Sequence, residues 1–245
     1  MNASSTLKIR GRPVEQPAGG DAAARPEYYP VYLDLRDRRC IVVGGDAAAA
    51  SKVEGLLAAG ARVTVIAPGL EPALEARVAS GAVHHLARGY RRGDLEGAFL
   101  ALSVLADPEV NEPFWEEAET RGIPANVMDD VPRCSFIAPS IVRRGDLCVA
   151  VSTSGKAPAL AVRIREWLER VLGPEHARFL ELAGALREPL ARARPDLAER
   201  RELWYRLVDS DVIDLLARGD ESSAVARVEE IMGIRPDLGV GGEEA

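Results

Sequence analysis

The sequence contains no hydrophobic run of roughly 18 residues or more, the length that crosses a membrane as a helix. It also lacks the apolar segment of a secretion signal near its start, so we expect no signal peptide and a cytoplasmic protein. Hydrophobic residues nevertheless make up 47% of the 245-residue chain, and charged residues make up 28%. This balance is typical of a globular protein, with length for one ordinary domain and a smaller one.

Cysteine and histidine are scarce, with three residues of each type. Cys40, Cys134 and Cys148 lack the spacing of a metal site, and the first and last of them fall in apolar, strand-like runs. We therefore expect buried thiols in a reducing compartment. His84 and His85 alternate across a predicted strand, so their rings point to opposite faces. We predict no metal site.

The sequence has no excess of basic residues, because 31 lysines and arginines stand against 38 aspartates and glutamates, for a formal charge of −7. Such a protein lacks the positive field on which nonspecific nucleic-acid binding depends, so we expect neither nucleic acid nor a membrane as a partner. A local basic excess suggests an anionic small ligand, with a solvated charged face as the alternative. Its members are Arg133, Arg143, Arg144, Lys156, Arg163 and Arg165.

The order of apolar runs predicts alternating strands and helices over residues 31–128. The apolar run from Cys40 to Val43, a glycine pair, an alanine-rich helical segment and the β-branched run from Arg62 to Ala67 have the size of one βαβ unit. A β-like run, Tyr28 to Leu33, precedes this unit, and a buried strand, Ala98 to Leu105, continues the alternation. The pattern predicts the α/β class with a doubly wound parallel sheet.

The pattern then changes to a hairpin and afterwards to helices. Two strand-like runs, Ser135 to Val142 and Leu147 to Ser152, flank a polar turn and predict a separate small antiparallel sheet. From Pro158 to Met232, apolar residues recur at helical spacing. We predict, in order, a disordered tail, an α/β domain, a hairpin with a helix, a helical domain and a flexible end. Their bounds are residues 1–26, 27–132, 133–173, 174–236 and 237–245.

The turn after the first core strand resembles the dinucleotide fingerprint G-x-G-x-x-A, with one departure. Gly44 and Ala49 occupy the ends of the pattern, but Asp46 stands where the middle glycine lets a pyrophosphate approach the backbone. The acidic residue that usually ends the second strand is also missing, since nothing acidic precedes Glu71. Both a phosphate cradle and a plain strand-to-helix turn fit this pattern.

Two downstream segments carry groups suited to chemistry on a ligand. Asp129 and Asp130 follow a buried strand at its carboxyl end, where open α/β sheets bind ligands and a carboxylate can act as a general base. The alternative there is a simple aspartate turn. The turn Ser152–Lys156 offers hydroxyls, amides and an ammonium to an anion, and its alternative role is to cap the next helix.

Several segments occur in an order that is more specific than any one of them. They are Tyr29–Arg36, Val42–Gly45, Lys52–Val65, Asn126–Asp129, Ser135–Ser140 and Ala150–Pro158. Together they resemble the precorrin-2 dehydrogenase and sirohydrochlorin ferrochelatase family, which includes the N-terminal half of siroheme synthase. The resemblance implies a Rossmann-like NAD-binding domain, a small dimerisation sheet and a helical C-terminal region, assembled as a homodimer. It also implies NAD-dependent dehydrogenation of a tetrapyrrole, precorrin-2, to sirohydrochlorin, followed in some members by Fe²⁺ insertion.

The resemblance also assigns residues. The family's key aspartate maps to Asp129, which implies a catalytic role for that carboxylate. The implied substrate contacts are Asn126, Ser152, Thr153 and Lys156, with Thr153 at a position that is phosphorylated in some members. The implied cofactor contacts are Gly44, Gly45, Asp46, Ala47, Ala48, Pro68, Gly69 and Leu105.

Two departures from the family pattern leave a second hypothesis open. Asp46 replaces the third glycine of the turn, and Leu105 stands where the family has a threonine at the cofactor cleft. A homologue that has lost NAD binding would act only as a chelatase, or would bind a tetrapyrrole without turning it over. The direction of the Asp46 carboxylate, into the cleft or away from it, separates these hypotheses.

Overall fold

The structure, a computed structural model, describes residues 28–237. The tail predicted for residues 1–26 and, apart from Asp237, the flexible end predicted for residues 237–245 lie outside the described residues. Leu33 and the described residues after it belong to one compact unit, whereas Tyr28 to Tyr32 belong to a separate N-terminal unit. Within the described part, residues 28–33 form no strand, because β propensity is realised only where another strand pairs with the segment.

A parallel sheet of five strands forms the centre of the compact unit. Its order is β3-β2-β1-β4-β5, and all neighbouring pairs run parallel. The order changes direction between β1 and β4, so a crevice opens at their carboxyl ends, where ligands bind in sheets of this kind. The sheet confirms the predicted doubly wound fold. The strands are β1 Arg39–Val43, β2 Arg62–Ile66, β3 Val83–Leu86, β4 Leu100–Ser103 and β5 Ala125–Val127.

Helices cover both faces of this sheet because its central strands are apolar on both sides. In β1, Cys40 and Val42 face the core that α1 and α2 cover, and Ile41 faces the core that α3 covers. Between β3 and β4 an irregular segment crosses the sheet, and its Tyr90 and Leu95 fill the core beside α3. The helices are α1 Ala47–Ala58, α2 Pro72–Ala79 and α3 Pro108–Arg121.

The hairpin after β5 forms a second sheet. Its strands, β6 Ser140–Arg144 and β7 Leu147–Val151, pair antiparallel, whereas residues 135–139, which the sequence predicts as strand, are irregular. Helices α5 to α8 enclose a core of their own around Leu182 and Leu186. No helix within residues 28–237 is both long and apolar enough to cross a membrane. The C-terminal helices are α4 Pro158–Val171, α5 Pro174–Ala193, α6 Leu197–Val208, α7 Val212–Ala217 and α8 Glu221–Met232.

Candidate cofactor and substrate site

A cleft of about 620 Å³ lies at the carboxyl ends of the parallel strands. Its walls come from the residues that follow β1, β2, β3 and β4. Six of the predicted cofactor contacts line it, whereas Ala47 and Ala48, in the first turn of α1, are not among the lining residues. The lining residues are Val43, Gly44, Gly45, Asp46, Ile66, Ala67, Pro68, Gly69, Glu71, Gly89, Tyr90, Leu105, Asp107 and Val110.

Close packing requires both glycines of the turn after β1. Gly44 has a φ of +124°, and a Cβ built on it would lie 2.4 Å from Cγ2 of Val104. A Cβ built on Gly45 would lie 2.1 Å from the carbonyl oxygen of Gly69. Side chains do not approach other atoms so closely, so neither position accepts another residue without a shift of the backbone.

Asp46 is the N-cap residue of α1. Its carboxylate accepts a hydrogen bond from the Ala49 N–H at 3.0 Å, and its backbone is extended, as capping residues usually are. The carboxylate therefore occupies part of the positive helix end that would otherwise stabilise a phosphate. The N–H groups of Ala47 and Ala48 lie in the first helical turn, where α-helical geometry supplies no acceptor. The turn thus fits a diphosphate through backbone N–H groups, at a cost set by the neighbouring carboxylate.

A buried polar pair holds Leu105 at the cleft. Oγ of Ser103 donates to Oδ1 of Asn111 at 2.6 Å, and Nδ2 of Asn111 donates to the Leu105 carbonyl oxygen at 2.7 Å. Both polar side chains are buried, so these bonds are costly to break. The Leu105 side chain reaches the glycine turn, with Cδ2 at 3.5 Å from a Cβ built on Gly44. An apolar side chain here presents packing surface to a ligand where a threonine would present a hydroxyl.

Glu117 fixes Tyr90 in the cleft wall. One Glu117 oxygen accepts hydrogen bonds from the Tyr90 hydroxyl at 2.5 Å and the Gly93 N–H at 2.7 Å, and the other accepts from Nε of Arg121 at 2.8 Å. Burial alone would raise the pKa of Glu117, but these hydrogen bonds outweigh burial and hold the pKa below its usual value. Burial, together with the same carboxylate, raises the pKa of Tyr90, so its hydroxyl stays protonated as a donor.

Asp129 lies two residues after β5, the strand that pairs with β4 beside the cleft. Its φ is +61°, in the left-handed region that aspartate and asparagine enter more readily than other residues with a Cβ. The side chain is exposed, and within residues 28–237 its carboxylate has neither a hydrogen bond nor an ion pair. The neighbouring Asp130 carboxylate is instead paired with Arg133 at 2.7 Å. Of the two aspartates, Asp129 is therefore the one that is available to a ligand.

Cys134 and Asn126 hold the turn that carries Asp129. Sγ of Cys134 lies 3.2 Å from the carbonyl oxygens of Val127 and Asp130, which flank that residue. Nδ2 of Asn126 donates to Sγ at 3.3 Å and to a backbone carbonyl at 3.0 Å. Burial raises the pKa of the Cys134 thiol, so it stays protonated in this network. Asn126 thus has a supporting role here, and its contact with a substrate stays a prediction.

The turn Ser152–Lys156 lies next to the segment that follows Asp129, because a Cβ built on Gly155 would be 3.6 Å from Cγ2 of Val131. Oγ of Ser152 accepts a hydrogen bond from a backbone N–H at 3.1 Å, and Oγ1 of Thr153 accepts another at 3.2 Å. Each hydroxyl is an acceptor in these bonds, so its own hydrogen is available to a ligand. The fold therefore brings the predicted catalytic carboxylate and the hydroxyl-rich turn into one region.

The basic residues between 133 and 165 are mostly engaged within the protein. Arg144 donates to two carbonyl oxygens at the C-terminal end of α4, at 2.7 and 3.0 Å. Three others form ion pairs with acidic neighbours: Arg133, Arg163 and Arg165. Arg143 and Lys156 have no ion pair within residues 28–237. The basic excess in the sequence therefore offers an anionic ligand two side chains rather than six.

Histidine, cysteine and acidic side chains do not gather into a metal site anywhere in the described range, where no group of three or more could hold an ion. His85 instead has a structural contact, with Nε2 at 2.9 Å from the Ala67 carbonyl oxygen. This contact ties β3 to the loop after β2, and that loop lines the cleft.

Three families match the chain in sequence order. A family of NAD(P)-binding domains matches residues 31–140, the sirohaem biosynthesis protein central family matches residues 144–170, and the sirohaem synthase dimerisation region matches residues 176–232. The siroheme synthase of Photobacterium profundum is 41% identical over 198 residues, which are 81% of this chain and 42% of that protein. The chain belongs to the family that includes the N-terminal half of siroheme synthase.

A second siroheme synthase matches the chain to a similar extent. Siroheme synthase 1 of Serratia proteamaculans is 38% identical over 204 residues, covering 83% of this chain and 43% of its own. The chain thus spans less than half the length of the curated siroheme synthases that it matches. The solved structure of SirC, a precorrin-2 dehydrogenase, covers 83% of this chain and 100% of SirC with a TM-score of 0.69, at 24% identity. That similarity confirms the fold.

Proposed function

We propose that this chain catalyses the NAD-dependent dehydrogenation of precorrin-2 to sirohydrochlorin in siroheme biosynthesis. The observation that carries the proposal is the position of Asp129, an exposed carboxylate that follows the edge strand β5 and has no partner within residues 28–237. The neighbouring strand β4 leads into the cleft wall at Leu105. Family membership supplies the substrate class, and the solved structure with the same fold is named a precorrin-2 dehydrogenase.

The residues of the cleft support a bound dinucleotide. The glycine turn and the N–H groups of Ala47 and Ala48 would hold its diphosphate. Leu105 would pack against whichever ring of the dinucleotide lies at the end of β4. Bound NAD supplies a hydride acceptor. Gly45 and Gly69 already contact each other across the turn, so the phosphate-binding wall is preorganised.

Asp129 would act as the general base of this reaction. Dehydrogenation removes one hydride and one proton from precorrin-2, and the proton needs an acceptor within hydrogen-bond reach. An exposed carboxylate without a protein partner can accept that proton and pass it to water. The thiol of Cys134 and the amide of Asn126 keep the turn in place during the transfer.

The substrate would be held mainly through its carboxylates. Lys156 and Arg143 are the uncommitted cations of the region, and Ser152 and Thr153 can donate their hydroxyl hydrogens. The turn Ser152–Lys156 contacts the segment after Asp129 through Gly155 and Val131, and Arg143 lies on β6, whereas the cofactor cleft belongs to the parallel sheet. The parallel sheet would thus bind the cofactor, and the second sheet with the turn after it would hold the substrate.

We also propose a homodimer in the cytoplasm. Leu160 and Trp167, seven residues apart on α4, are each 54% exposed, and Ile141 is exposed on the adjoining sheet. Apolar surface of this kind usually marks an interface. The family model for the dimerisation region, which matches residues 176–232, supports the same assembly. Cys40 and Cys134 form no disulfide, which suits a reducing compartment.

A second candidate is a chelatase without redox activity, and the capping role of Asp46 is the observation that favours it. This carboxylate takes part of the helix end that a dinucleotide phosphate would use. Fe²⁺ would then enter sirohydrochlorin as a substrate, with Asp129 accepting the pyrrole protons that the metal displaces.

The test is an anaerobic assay of the purified chain with precorrin-2, in which sirohydrochlorin and NADH are followed spectroscopically with and without NAD. We expect one NADH for each sirohydrochlorin, and no product when NAD is omitted. Fe²⁺ insertion into supplied sirohydrochlorin, measured in parallel, separates the candidates. Metal insertion without any NAD-dependent oxidation would contradict the proposed dehydrogenase.

A further inference from the structure

Three carboxylate residues line the cleft, and only one of them is not used to cap a helix. Asp46 caps α1 and Asp107 caps α3, each through a hydrogen bond from a backbone N–H. Glu71 precedes α2 in the equivalent place, yet its side chain makes no capping bond. Within residues 28–237 its carboxylate also has no ion pair or other hydrogen bond. No lysine, arginine or histidine is among the residues that line the cleft.

The backbone fixes Glu71 beside the glycine turn. Its N–H donates to the Gly45 carbonyl oxygen at 2.8 Å, and Gly69, two residues before it, packs against Gly45. Pro72 follows at the first position of α2, which restricts the backbone on the other side. Glu71 is therefore held at a defined distance from the site of the diphosphate, although it lies five residues beyond the end of β2.

This location matches a general need of dinucleotide sites. The ribose that carries adenine lies between the glycine turn and the end of β2, and a carboxylate there accepts hydrogen bonds from its hydroxyls. In this chain the residues directly after β2, Ala67 to Gly69, are not acidic. We propose that Glu71 supplies the missing carboxylate and makes the site selective for NAD over NADP, an inference that rests on the proposed function.

Charge gives the direction of this selectivity. NADP carries a phosphate on the ribose 2′ oxygen, so its binding would place that dianion next to Glu71 and in the same cleft as Asp46. Positively charged side chains would be needed to offset this repulsion, and none is among the residues that line the cleft. Repulsion between charges about 4 Å apart is sufficient for a preference of about tenfold or more.

The experiment is calorimetric titration of the full chain with NAD and with NADP, for the wild type and for Glu71→Gln. Glu71→Gln keeps the size of the side chain and removes no cap, so we expect an unchanged melting temperature. We expect NAD affinity to fall about three- to tenfold and the NAD to NADP preference to narrow. The matched control is Glu75→Gln, which removes an exposed carboxylate from the first turn of the same helix and should change neither affinity.

Reversing the charge at position 71 should increase the affinity for NADP, which a purely structural role of Glu71 would not predict. Glu71→Arg should bind NADP more tightly than the wild type does, because its guanidinium can pair with the 2′-phosphate. An unaltered preference in both Glu71 variants would overturn the assignment and leave the proposed dehydrogenase intact. Equal wild-type affinity for NAD and NADP would also overturn it. Failure of the wild type to bind either dinucleotide would overturn both this inference and the proposed function.

Discussion

Asp46 has two opposing effects at one position. As the N-cap of α1 it satisfies a helix-end N–H, a contribution of about 1 kcal/mol to folding. As a charge on the cleft wall it disfavours the phosphates of a dinucleotide. The replacement of glycine by aspartate therefore has a structural reason in the helix cap, and it does not by itself indicate that the site is lost.

Asp46→Asn separates these two effects, because asparagine caps helices about as well as aspartate and carries no charge. We expect NAD to bind about tenfold more tightly, with the free energy of unfolding changed by less than about 0.5 kcal/mol. Asp46→Ala should instead lose about 1 kcal/mol of stability. Calorimetry and urea unfolding measure both quantities. The gain in affinity should shrink as salt is added, and equal NAD affinity in Asp46→Asn and wild type would refute the repulsion.

Alanine substitutions at Gly45 and at Gly55 together test how closely the turn after β1 is packed. Gly45→Ala would place a methyl group against the Gly69 carbonyl, so we expect a loss of about 1 to 3 kcal/mol and weaker NAD binding. Gly55 lies inside α1 with open space around it, so Gly55→Ala should stabilise the protein by about 0.5 to 1 kcal/mol. Chemical unfolding of both variants checks the signs. Equal stabilities would contradict the close packing of the turn.

Helix and strand signals predict the elements whose ends are chemically marked. α3 starts after the capping residue Asp107 with Pro108 at its first position, and it ends at Gly122, whose φ is +65°. β3, Val83–Leu86, contains the histidine pair for which the sequence predicts a strand. The runs at residues 28–33 and 135–139 have a strand-like composition but form no strand, because strand formation depends on a pairing partner that composition does not reveal.

The site was predictable where it follows strand ends and was hidden where it depends on contacts between loops. Gly44 follows β1 directly and Asp129 lies two residues past β5, and the sequence pattern locates both residues. Glu71 stands five residues past β2, and only its bond to Gly45 reveals its place in the cleft. Tyr90 carries no motif at all. The pairing of Arg144 with helix carbonyls likewise depends on tertiary structure.

The segment between β3 and β4 should be sensitive to acid through Glu117, whose pKa lies below its ordinary value of 4.5 in the folded protein. A lowered pKa stabilises the fold at higher pH, and this stability is lost as pH falls below about 4.5 towards the folded pKa. Glu117→Gln should cost about 2 kcal/mol at neutral pH and flatten the acid part of the stability curve.

Thermal unfolding across pH 3 to 7, roughly the range in which carboxylates titrate, measures this effect. Glu116→Gln is the control, because its carboxylate pairs with Arg92 at the exposed surface. We expect its cost to be below about 1 kcal/mol. NAD affinity should fall in Glu117→Gln alone, since Tyr90 lines the cleft. An acid curve in Glu117→Gln that matches the wild type would argue against the Glu117 network.

At the scale of the molecule, the two sheets have different roles in the proposed reaction. The parallel sheet supplies the cleft and Asp129, and the antiparallel sheet leads into the turn Ser152–Lys156 beside it. The helices α5 to α8 form a separate core that contributes no residue to the cleft lining. The C-terminal helices therefore take no direct part in the proposed reaction, and the sirohaem synthase dimerisation region is the family that matches residues 176–232.

Assembly can be tested on α4. Sedimentation should give the wild type a mass of about twice the 26.3 kDa of one chain. Trp167→Asp places a charge on the exposed apolar stripe of α4, so we expect a monomer at micromolar concentration. Leu197→Asp is the control, on α6 at 72% exposure. A dimer that survives Trp167→Asp and dissociates in Leu197→Asp would place the interface on the C-terminal helices instead.

The rate of NAD-dependent precorrin-2 oxidation by Asp129→Asn measures whether Asp129 is the general base of the reaction. Asparagine tolerates the φ of +61° as aspartate does, so the variant should fold normally while losing the general base. We predict a rate at least about 100-fold below the wild type, and a nearly unchanged rate for Asp130→Asn, whose carboxylate is paired with Arg133. An Asp129→Asn rate within about threefold of the wild type would contradict the assignment of Asp129 as the general base.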